Sequence, residues 1–136
     1  TVQLTVLVDF DGDGMADTWE VQYGFNTNNV ADGALDFDND KMSNRDEYAA
    51  GTNPTDPTSL LKLSTVATNA ALLQFVAQSN FAYTVQYRTN FTNASWNTLT
   101  NIGAQPSVRT VDVNNLLIPL PDERYYRVVT PQAGPF

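Results

Sequence analysis

Five carboxylates fall within twelve residues near the start of the sequence, in the stretch DFDGDGMADTWE at residues 9–20. They are Asp9, Asp11, Asp13, Asp17 and Glu20. Negative charges this close together repel one another, so a folded chain keeps them only if water screens them or a cation lies among them. Carboxylate oxygens are the ligands that hard cations such as Ca²⁺ prefer. The chemistry that this stretch could perform is therefore metal binding.

The same pattern returns 27 residues further along the chain. The segment DFDGDGMADTWEVQYGFN at residues 9–26 aligns with DFDNDKMSNRDEYAAGTN at residues 36–53. The alternative to a metal site is a solvated acidic loop, which has no reason to repeat its internal spacing. The repeat therefore favours a cation site in each copy.

The spacing of the acids is that of a twelve-residue calcium loop. Such a loop supplies oxygen ligands from positions 1, 3, 5, 7, 9 and 12, with a backbone carbonyl at position 7 and a bidentate Glu at position 12. The ligands predicted for the first loop are Asp9, Asp11, Asp13, the Met15 carbonyl, Asp17 and Glu20. Those predicted for the second loop are Asp36, Asp38, Asp40, the Met42 carbonyl, Asn44 and Glu47. Two Ca²⁺ sites are expected, and the bidentate Glu disfavours the alternative ion, Mg²⁺.

The second loop differs from the first in ways that predict a weaker site. Lys41 occupies position 6, where the first loop has Gly14 and where a sharp turn favours Gly. A positive φ at a residue other than Gly costs on the order of 1 kcal/mol, and the Lys side chain brings a positive charge near the ion. Asn44 also removes one negative charge relative to Asp17.

A short helix is expected after each loop, at residues 17–24 and 44–51, because Gly24 and Gly51 are placed as C-terminal stops. The side chains expected to form a small core here are Trp19, Val21, Tyr23, Phe25, Leu35, Met42 and Tyr48. Asp32 lies outside both loops. A place in a turn is favoured for it over a role in a metal site.

Residues 9–59 resemble the tandem calcium repeats of secreted bacterial proteins, which are akin to thrombospondin type 3 repeats. The resemblance rests on the two motifs DFDGDGMADTWE and DFDNDKMSNRDEYAAGTNPTDPTS, although Asn39 and Lys41 depart from the usual DGDG form. It implies an extracellular or cell-surface setting, where calcium is near millimolar concentration and even weak sites are filled.

From Leu60 onwards the sequence changes to the period of two that β-strands show. The alternating segments are residues 60–67, 70–77, 81–88, 96–102, 108–113 and 124–130. Six short strands separated by Asn, Pro and Gly favour an antiparallel β-sandwich, and the YTVQY and RYYRV elements resemble those of fibronectin type III domains. The expected fold is mostly β: an immunoglobulin- or fibronectin III-like sandwich at residues 60–136, preceded by a small helical module with two calcium loops at residues 9–59.

Residues 1–8, TVQLTVLV, alternate like a strand but have no assigned partner. This segment could complete the sandwich of its own chain or belong to an upstream domain. It could instead pair with a neighbouring subunit and build a fibre by strand addition.

The composition excludes several classes of function. Residues 1–59 hold 12 acids and 2 bases and residues 60–136 hold 3 acids and 5 bases, which together give the net charge of −8. An acidic half with so few bases argues against nucleic acid as a partner, and no run of 18 apolar residues offers a membrane span. The absence of Cys and His excludes disulfides, thiolate nucleophiles, Ser-His-Asp triads and the usual zinc sites.

The expected function is that of a non-catalytic, extracellular calcium-binding module with a structural or assembly role, in which calcium stiffens the acidic repeats. Enzymatic activity is not expected, because no base or nucleophile accompanies the remaining acids Asp112, Asp122 and Glu123. One alternative is a carbohydrate-binding module that stacks sugars on aromatic side chains, for which the candidates are Tyr87, Phe91, Trp96 and Tyr125. Another is a fibre subunit that assembles through residues 1–8. Asn90 and Asn93 begin overlapping glycosylation sequons, which matter only in a eukaryotic secreted protein.

Overall fold

The computed structural model describes residues 7–65, 72–90, 92, 95–114 and 124–130. These residues fold as two compact units, one extending to Leu60 and one beginning at Leu61. We call them the loop unit and the strand unit. The loop unit contains two short α-helices, and the strand unit contains six β-strands in two antiparallel sheets. The prediction of a mostly β chain with a small helical module is confirmed at this level.

The predicted N-terminal strand lies almost wholly outside the described residues. Of its eight residues the structure describes only Leu7 and Val8, whose side chains are largely exposed. Its proposed pairing, within the chain or with a neighbour, therefore remains a prediction.

The two helices of the loop unit have the same length and the same C-terminal geometry. Helix α1 covers Asp17–Tyr23 and helix α2 covers Asn44–Ala50. Each is followed by a Gly in the left-handed region, Gly24 with φ of 80° and Gly51 with φ of 75°. The N–H of that Gly bonds back to a carbonyl one turn earlier, which ends the helix without a steric penalty. A 3-10 helix at Asp32–Ala34 lies between them in the chain.

The interior of the loop unit is polar. Its buried apolar side chains include Met15, Ala16 and Ala50. The buried polar and charged side chains are Asp13, Glu20, Asp32, Asn44, Glu47 and Thr52. Carboxylates are seldom buried without a partner, because desolvation of the charge is costly. The buried carboxylates of the loop unit therefore require a proton or a positively charged partner.

The apolar core predicted for this unit is wrong in part. Val21 and Leu35 are 70% and 58% exposed, because the helix turns the adjacent Glu20 inward and the loop interior is built from carboxylates. The predicted aromatic residues do pack together. The ring of Trp19 lies 4.8 Å from that of Tyr23 and 5.3 Å from that of Tyr48, measured between centroids.

The strands of the strand unit follow the predicted segments closely. They are β1 Ser64–Thr65, β2 Leu72–Ala77, β3 Tyr83–Arg88, β4 Asn97–Ile102, β5 Arg109–Asn114 and β6 Tyr125–Val129. One sheet has the order β1-β2-β5 and the other β4-β3-β6, and all pairs are antiparallel. Each predicted segment corresponds to one strand, although β1 is only two residues long and β5 ends one residue beyond its predicted segment.

The hydrophobic core of the strand unit draws residues from both sheets. Its buried members are Leu73, Phe75, Ala77, Tyr83, Val85, Val111 and Val113. In β3, Tyr83 and Val85 are 1% and 0% exposed, while Thr84 between them and Gln86 after them are only partly buried, as the alternation predicts. The ring of Phe75 meets that of Tyr83 edge-on at 5.2 Å between centroids. Burial of each large side chain contributes about 1.5–3 kcal/mol.

Candidate metal centres

The two acidic loops fold with the same set of hydrogen bonds, beginning with loop position 1. In the first loop the carboxylate of Asp9 accepts from the N–H groups of Gly12 and Gly14, at 2.8 and 3.1 Å. In the second loop Asp36 accepts from the residues at the same two positions, at 2.7 and 2.9 Å. The position-1 carboxylate therefore holds each loop in its turn.

This turn requires a positive φ at loop positions 4 and 6. The first loop satisfies the requirement with Gly12 and Gly14, at φ of 77° and 96°. The second loop has Asn39 and Lys41 there, at φ of 65° and 82°. Asn tolerates the left-handed region better than most residues do, whereas Lys has no such advantage. The strain expected at position 6 of the second loop is therefore present.

The carboxylates at positions 3 and 5 each use one oxygen to shape the loop and leave the other without a donor. Asp11 accepts from the N–H of Asp13 at 3.2 Å, and Asp13 accepts from that of Met15 at 2.8 Å. Asp38 and Asp40 make the equivalent bonds at 3.2 and 2.7 Å. The Oδ2 atoms of all four Asp are buried and have no hydrogen-bond partner among the described residues.

Position 9 closes each loop through its side chain. The Oδ1 atom of Asp17 accepts from the N–H of Phe10 at 2.9 Å, and the Oδ1 atom of Asn44 accepts from that of Phe37 at 3.3 Å. Asp17 does not belong to the group of converging carboxylates described below for the first repeat. One oxygen of each residue predicted as a ligand at this position is thus engaged with the loop backbone.

Position 12 holds the most deeply buried charges of the loop unit. Glu20 and Glu47 are both 0% exposed, and none of their carboxylate oxygens has a donor in hydrogen-bonding geometry among the described residues. Burial foremost, and then the charges of the neighbouring Asp residues, raises the pKa of each to about 7. The Thr52 hydroxyl partly opposes the rise at Glu47. Such groups are stabilised either by a proton or by a cation.

In each repeat the acids converge on a small volume. In the first, one carboxylate oxygen from each of four residues lies within 4.8 Å of all the others: Asp11, Asp13, Glu20 and Asp32. In the second, three residues meet the same condition: Asp36, Asp38 and Asp40. Asp9 and Asp17 are not in the first group and Glu47 is not in the second. All-oxygen donor sets of this charge, with buried oxygens that lack donors, fit a hard divalent cation.

Asp32 is the member that the sequence motif did not favour. It begins the 3-10 helix and is 6% exposed, and its Oδ2 atom accepts from the N–H of Asn26 at 3.1 Å. Its Oδ1 atom is buried without a partner among the described residues. The twelve-residue motif gives no sign of this, since Asp32 lies twelve residues beyond Glu20. Extending the 27-residue comparison past the loops aligns Asp32 with Ser59, so the repeat offers no matching acid that could have identified it.

Two neighbours fix Asp32 in this place. The side-chain amide of Asn44 donates to the Asp32 carbonyl at 2.8 Å. The next residue, Gly33, lies so close to Asp13 that a Cβ atom on it would come within 2.5 Å of the Asp13 Oδ2 atom. A glycine at position 33 thus permits the approach of the 3-10 helix to the first loop.

The aromatic side chains proposed for sugar stacking have other contacts in the strand unit. The guanidinium groups of Arg88 and Arg127 lie 4.6 and 4.4 Å from the centre of the Trp96 ring. That of Arg124 lies 5.4 Å from the centre of the Tyr87 ring. Tyr125 is partly buried on β6, and Phe91 is outside the described residues. The rings of Trp96 and Tyr87 are engaged in cation–π contacts.

The other residues singled out from the sequence do not form a second site among the residues that the structure describes. Asp112 accepts a hydrogen bond from the side chain of Gln74 at 2.8 Å on an exposed face. Asp122, Glu123 and Asn93 lie outside the described residues, and Asn90 is exposed. Among the helices described, none is long and apolar enough to cross a membrane.

Comparisons with known proteins bear on the loop unit alone. No curated protein and no solved structure matches this chain significantly. The family model of the bacterial TSP3 repeat matches residues 9–25 and 36–57, which are the two acidic loops with their helices. These two segments are thus similar to the bacterial TSP3 repeat, as the sequence motifs indicated.

Proposed function

We propose that this chain is a non-catalytic, calcium-binding structural module of an extracellular protein. The observation that carries the proposal is the pair of fully buried glutamates, Glu20 and Glu47, whose oxygens lack hydrogen-bond donors among the described residues. An oxygen of Glu20 converges with those of three Asp residues, and Glu47 lies close enough to Asp38 and Asp40 for their charges to help raise its pKa. A buried anionic cluster of this kind is unfavourable unless a cation neutralises it. The similarity to the bacterial TSP3 repeat supports Ca²⁺ as that ion and an extracellular setting.

The proposed division of labour separates ligands from loop supports. The side chains proposed to bind the ions are Asp11, Asp13, Glu20, Asp36, Asp38, Asp40 and Glu47. The carbonyls of Met15 and Met42 complete the sites, as their loop position predicts. Asp9, Asp17 and Asn44 act mainly through the backbone hydrogen bonds that shape the loops. Asp36 does both, because its carboxylate accepts from two backbone N–H groups and also lies among the converging oxygens of the second repeat.

Calcium binding would be coupled to the stability of the loop unit. The unfolded chain spreads its acids and lacks the converging geometry, so the ion binds the folded state preferentially and stabilises it. Filled sites would make residues 9–59 a stiff element. The strand unit, whose core draws on both sheets, is proposed to be a sandwich of the immunoglobulin or fibronectin III class with no catalytic role.

The test is thermal unfolding combined with sedimentation velocity, in excess Ca²⁺ and in EGTA. We expect the melting temperature to rise by about 10 °C or more with Ca²⁺, because two filled sites add several kcal/mol to a domain of this size. The matched control is the double variant E20Q/E47Q, which keeps the side-chain shape and removes the buried charge. It should lose the calcium response without losing stability in EGTA.

The outcomes separate the alternatives. A calcium-dependent rise in stability with a monomeric mass supports the structural module. A calcium-dependent shift to large species would favour the fibre alternative, with residues 1–8 the first segment to delete. An equal melting temperature in Ca²⁺ and EGTA would contradict the proposal. The carbohydrate alternative gains nothing from the contacts of Trp96 and Tyr87, whose rings already meet arginines.

A further inference from the structure

The structural repeat extends beyond the calcium loops to Asp32 in the first copy and Ser59 in the second. In the first copy the Asp32 side chain accepts from the N–H of Asn26 at 3.1 Å, and in the second the Ser59 hydroxyl accepts from that of Asn53 at 3.0 Å. The N–H groups of Asp32 and Ser59 both bond to a carbonyl three residues earlier, at 3.0 and 2.8 Å. Asp32 and Ser59 therefore occupy the same place in the two copies.

The two residues differ in what remains after this shared bond. Ser59 has one side-chain oxygen, which already accepts from Asn53. Asp32 has a second oxygen, Oδ1, which is buried without a partner among the described residues. A carboxylate oxygen of Asp32 lies within 4.8 Å of oxygens from Asp11, Asp13 and Glu20. Four carboxylates thus converge in the first repeat. The second repeat has no carboxylate at the place that corresponds to Asp32.

The position of Asp32 is held by the surrounding structure. Asn44 bonds to its carbonyl at 2.8 Å, and Gly33 allows its backbone to come close to Asp13. Glu20, which faces the same cluster, is 0% exposed with both oxygens unpaired among the described residues. A fully buried and unpaired carboxylate beside Asp32 indicates that the cluster receives a cation rather than water.

We propose that Asp32 is a direct ligand of the cation in the first repeat, supplied from outside the twelve-residue loop. The presence of Ser59 at the matching place makes the site of the second repeat weaker. This inference rests on the proposed calcium binding and specifies one ligand of it. It attributes the expected difference in calcium affinity between the two repeats to a position that lies outside both twelve-residue loops.

The experiment is a reciprocal exchange followed by calcium titration calorimetry on the full chain. D32S gives the first repeat the residue of the second and retains an acceptor for the Asn26 N–H. S59D gives the second repeat the residue of the first. Each exchange is measured in a background that silences the other site, E47Q for D32S and E20Q for S59D. The thermal stability of each variant in EGTA checks that it folds.

We expect D32S to weaken calcium binding at the first site by at least about tenfold, because loss of a ligand should cost no less than loss of an outer-shell partner. S59D should tighten the second site severalfold. First-site affinity within twofold of the parent in D32S would overturn the role of Asp32. An unchanged affinity of the second site in S59D would overturn the proposed role of Ser59 in weakening that site.

Failure of this inference is distinguishable from failure of the proposed function. If the parent chain binds calcium and D32S binds it equally well, only the role of Asp32 is refuted. If the parent chain shows no binding heat with calcium, both proposals are refuted. A variant that melts well below its parent in EGTA is replaced by D32N, which keeps the turn bond to Asn26 and removes the charge. Equal first-site affinity in D32N would overturn the role as well.

Discussion

The two repeats of the loop unit share one hydrogen-bonded framework but differ in their charges. Loop positions 1, 3, 5 and 9 make the same backbone bonds in both copies. The copies differ at Gly14 against Lys41, at Asp17 against Asn44, and at Asp32 against Ser59. The comparison shows that the framework tolerates changes in ligand charge, because the atoms that shape the loop are largely separate from those that face the cluster.

One of these differences has a structural reason that the loop motif conceals. Asp17 and Asn44 both accept a bond from the loop backbone through Oδ1. Asn44 also has an amide group, which donates to the Asp32 carbonyl. A carboxylate has no donor to offer there. The amide therefore links the second loop to the residue that completes the cluster of the first.

The largest expected effect is a dependence of stability on pH, caused by the buried glutamates of the two repeats. Glu20 and Glu47 have a pKa of about 7 in the folded chain, raised mainly by burial from an ordinary value of 4.5. The folded state therefore binds these protons more tightly than the unfolded state, so stability falls as pH rises through about 7. In EGTA we expect the melting temperature to increase by several degrees as the pH is lowered from about 8 to about 5.5.

Saturating calcium should reverse this trend, because protons then compete with the ion for the same oxygens. The matched variants are E20Q and E47Q, each of which should remove part of the pH dependence in EGTA. Thermal melts over a pH series, in EGTA and in saturating calcium, measure these trends for the parent chain and for each variant. A calcium-free melting temperature that rises with pH between about 5.5 and 8 would contradict the burial of uncompensated glutamates in both repeats.

Residue spacing was sufficient to predict the loops, the helices after them and the alternating strands. These features depend on local chemistry: carboxylates that bond to nearby backbone N–H groups, glycines that end helices, and a period of two along each strand. Asp32 could not be assigned in this way, because its role depends on a contact between the 3-10 helix and the loop. The same limit applies to Val21 and Leu35, which are exposed because the interior is occupied by carboxylates.

The hydrogen bond from Asn44 to the Asp32 carbonyl predicts that Asp at position 44, the residue found at the same loop position in the first repeat, lowers stability. N44D keeps the Oδ1 acceptor for Phe37 but places a carboxylate oxygen against the Asp32 carbonyl. We expect the free energy of unfolding in EGTA to fall by about 1–3 kcal/mol, the cost of opposing a buried acceptor without a donor. Urea denaturation measures this change.

The control for this substitution is D17N in the first repeat, which also keeps its Oδ1 bond to Phe10. It should change stability in EGTA by less than about 1 kcal/mol, since it removes a charge at a partly exposed position. Equal effects of N44D and D17N would show that the Asn44 amide does not link the repeats. A loss of stability in N44D but not in D17N would show that the position-9 side chain links the repeats only in the second loop.

The smallest effect concerns the strained turn of the second loop. Lys41 has φ of 82° where the first loop has a glycine, so K41G should stabilise the calcium-free chain by about 1 kcal/mol, partly offset by the greater freedom of Gly in the unfolded state. N39G is the matched control at position 4, where Asn already tolerates φ of 65°, and it should gain less. Urea denaturation in EGTA compares the two. If K41G is no more stable than N39G, backbone strain at position 6 is not a reason to expect a weaker second site, and that expectation then rests on the charges of the two repeats alone.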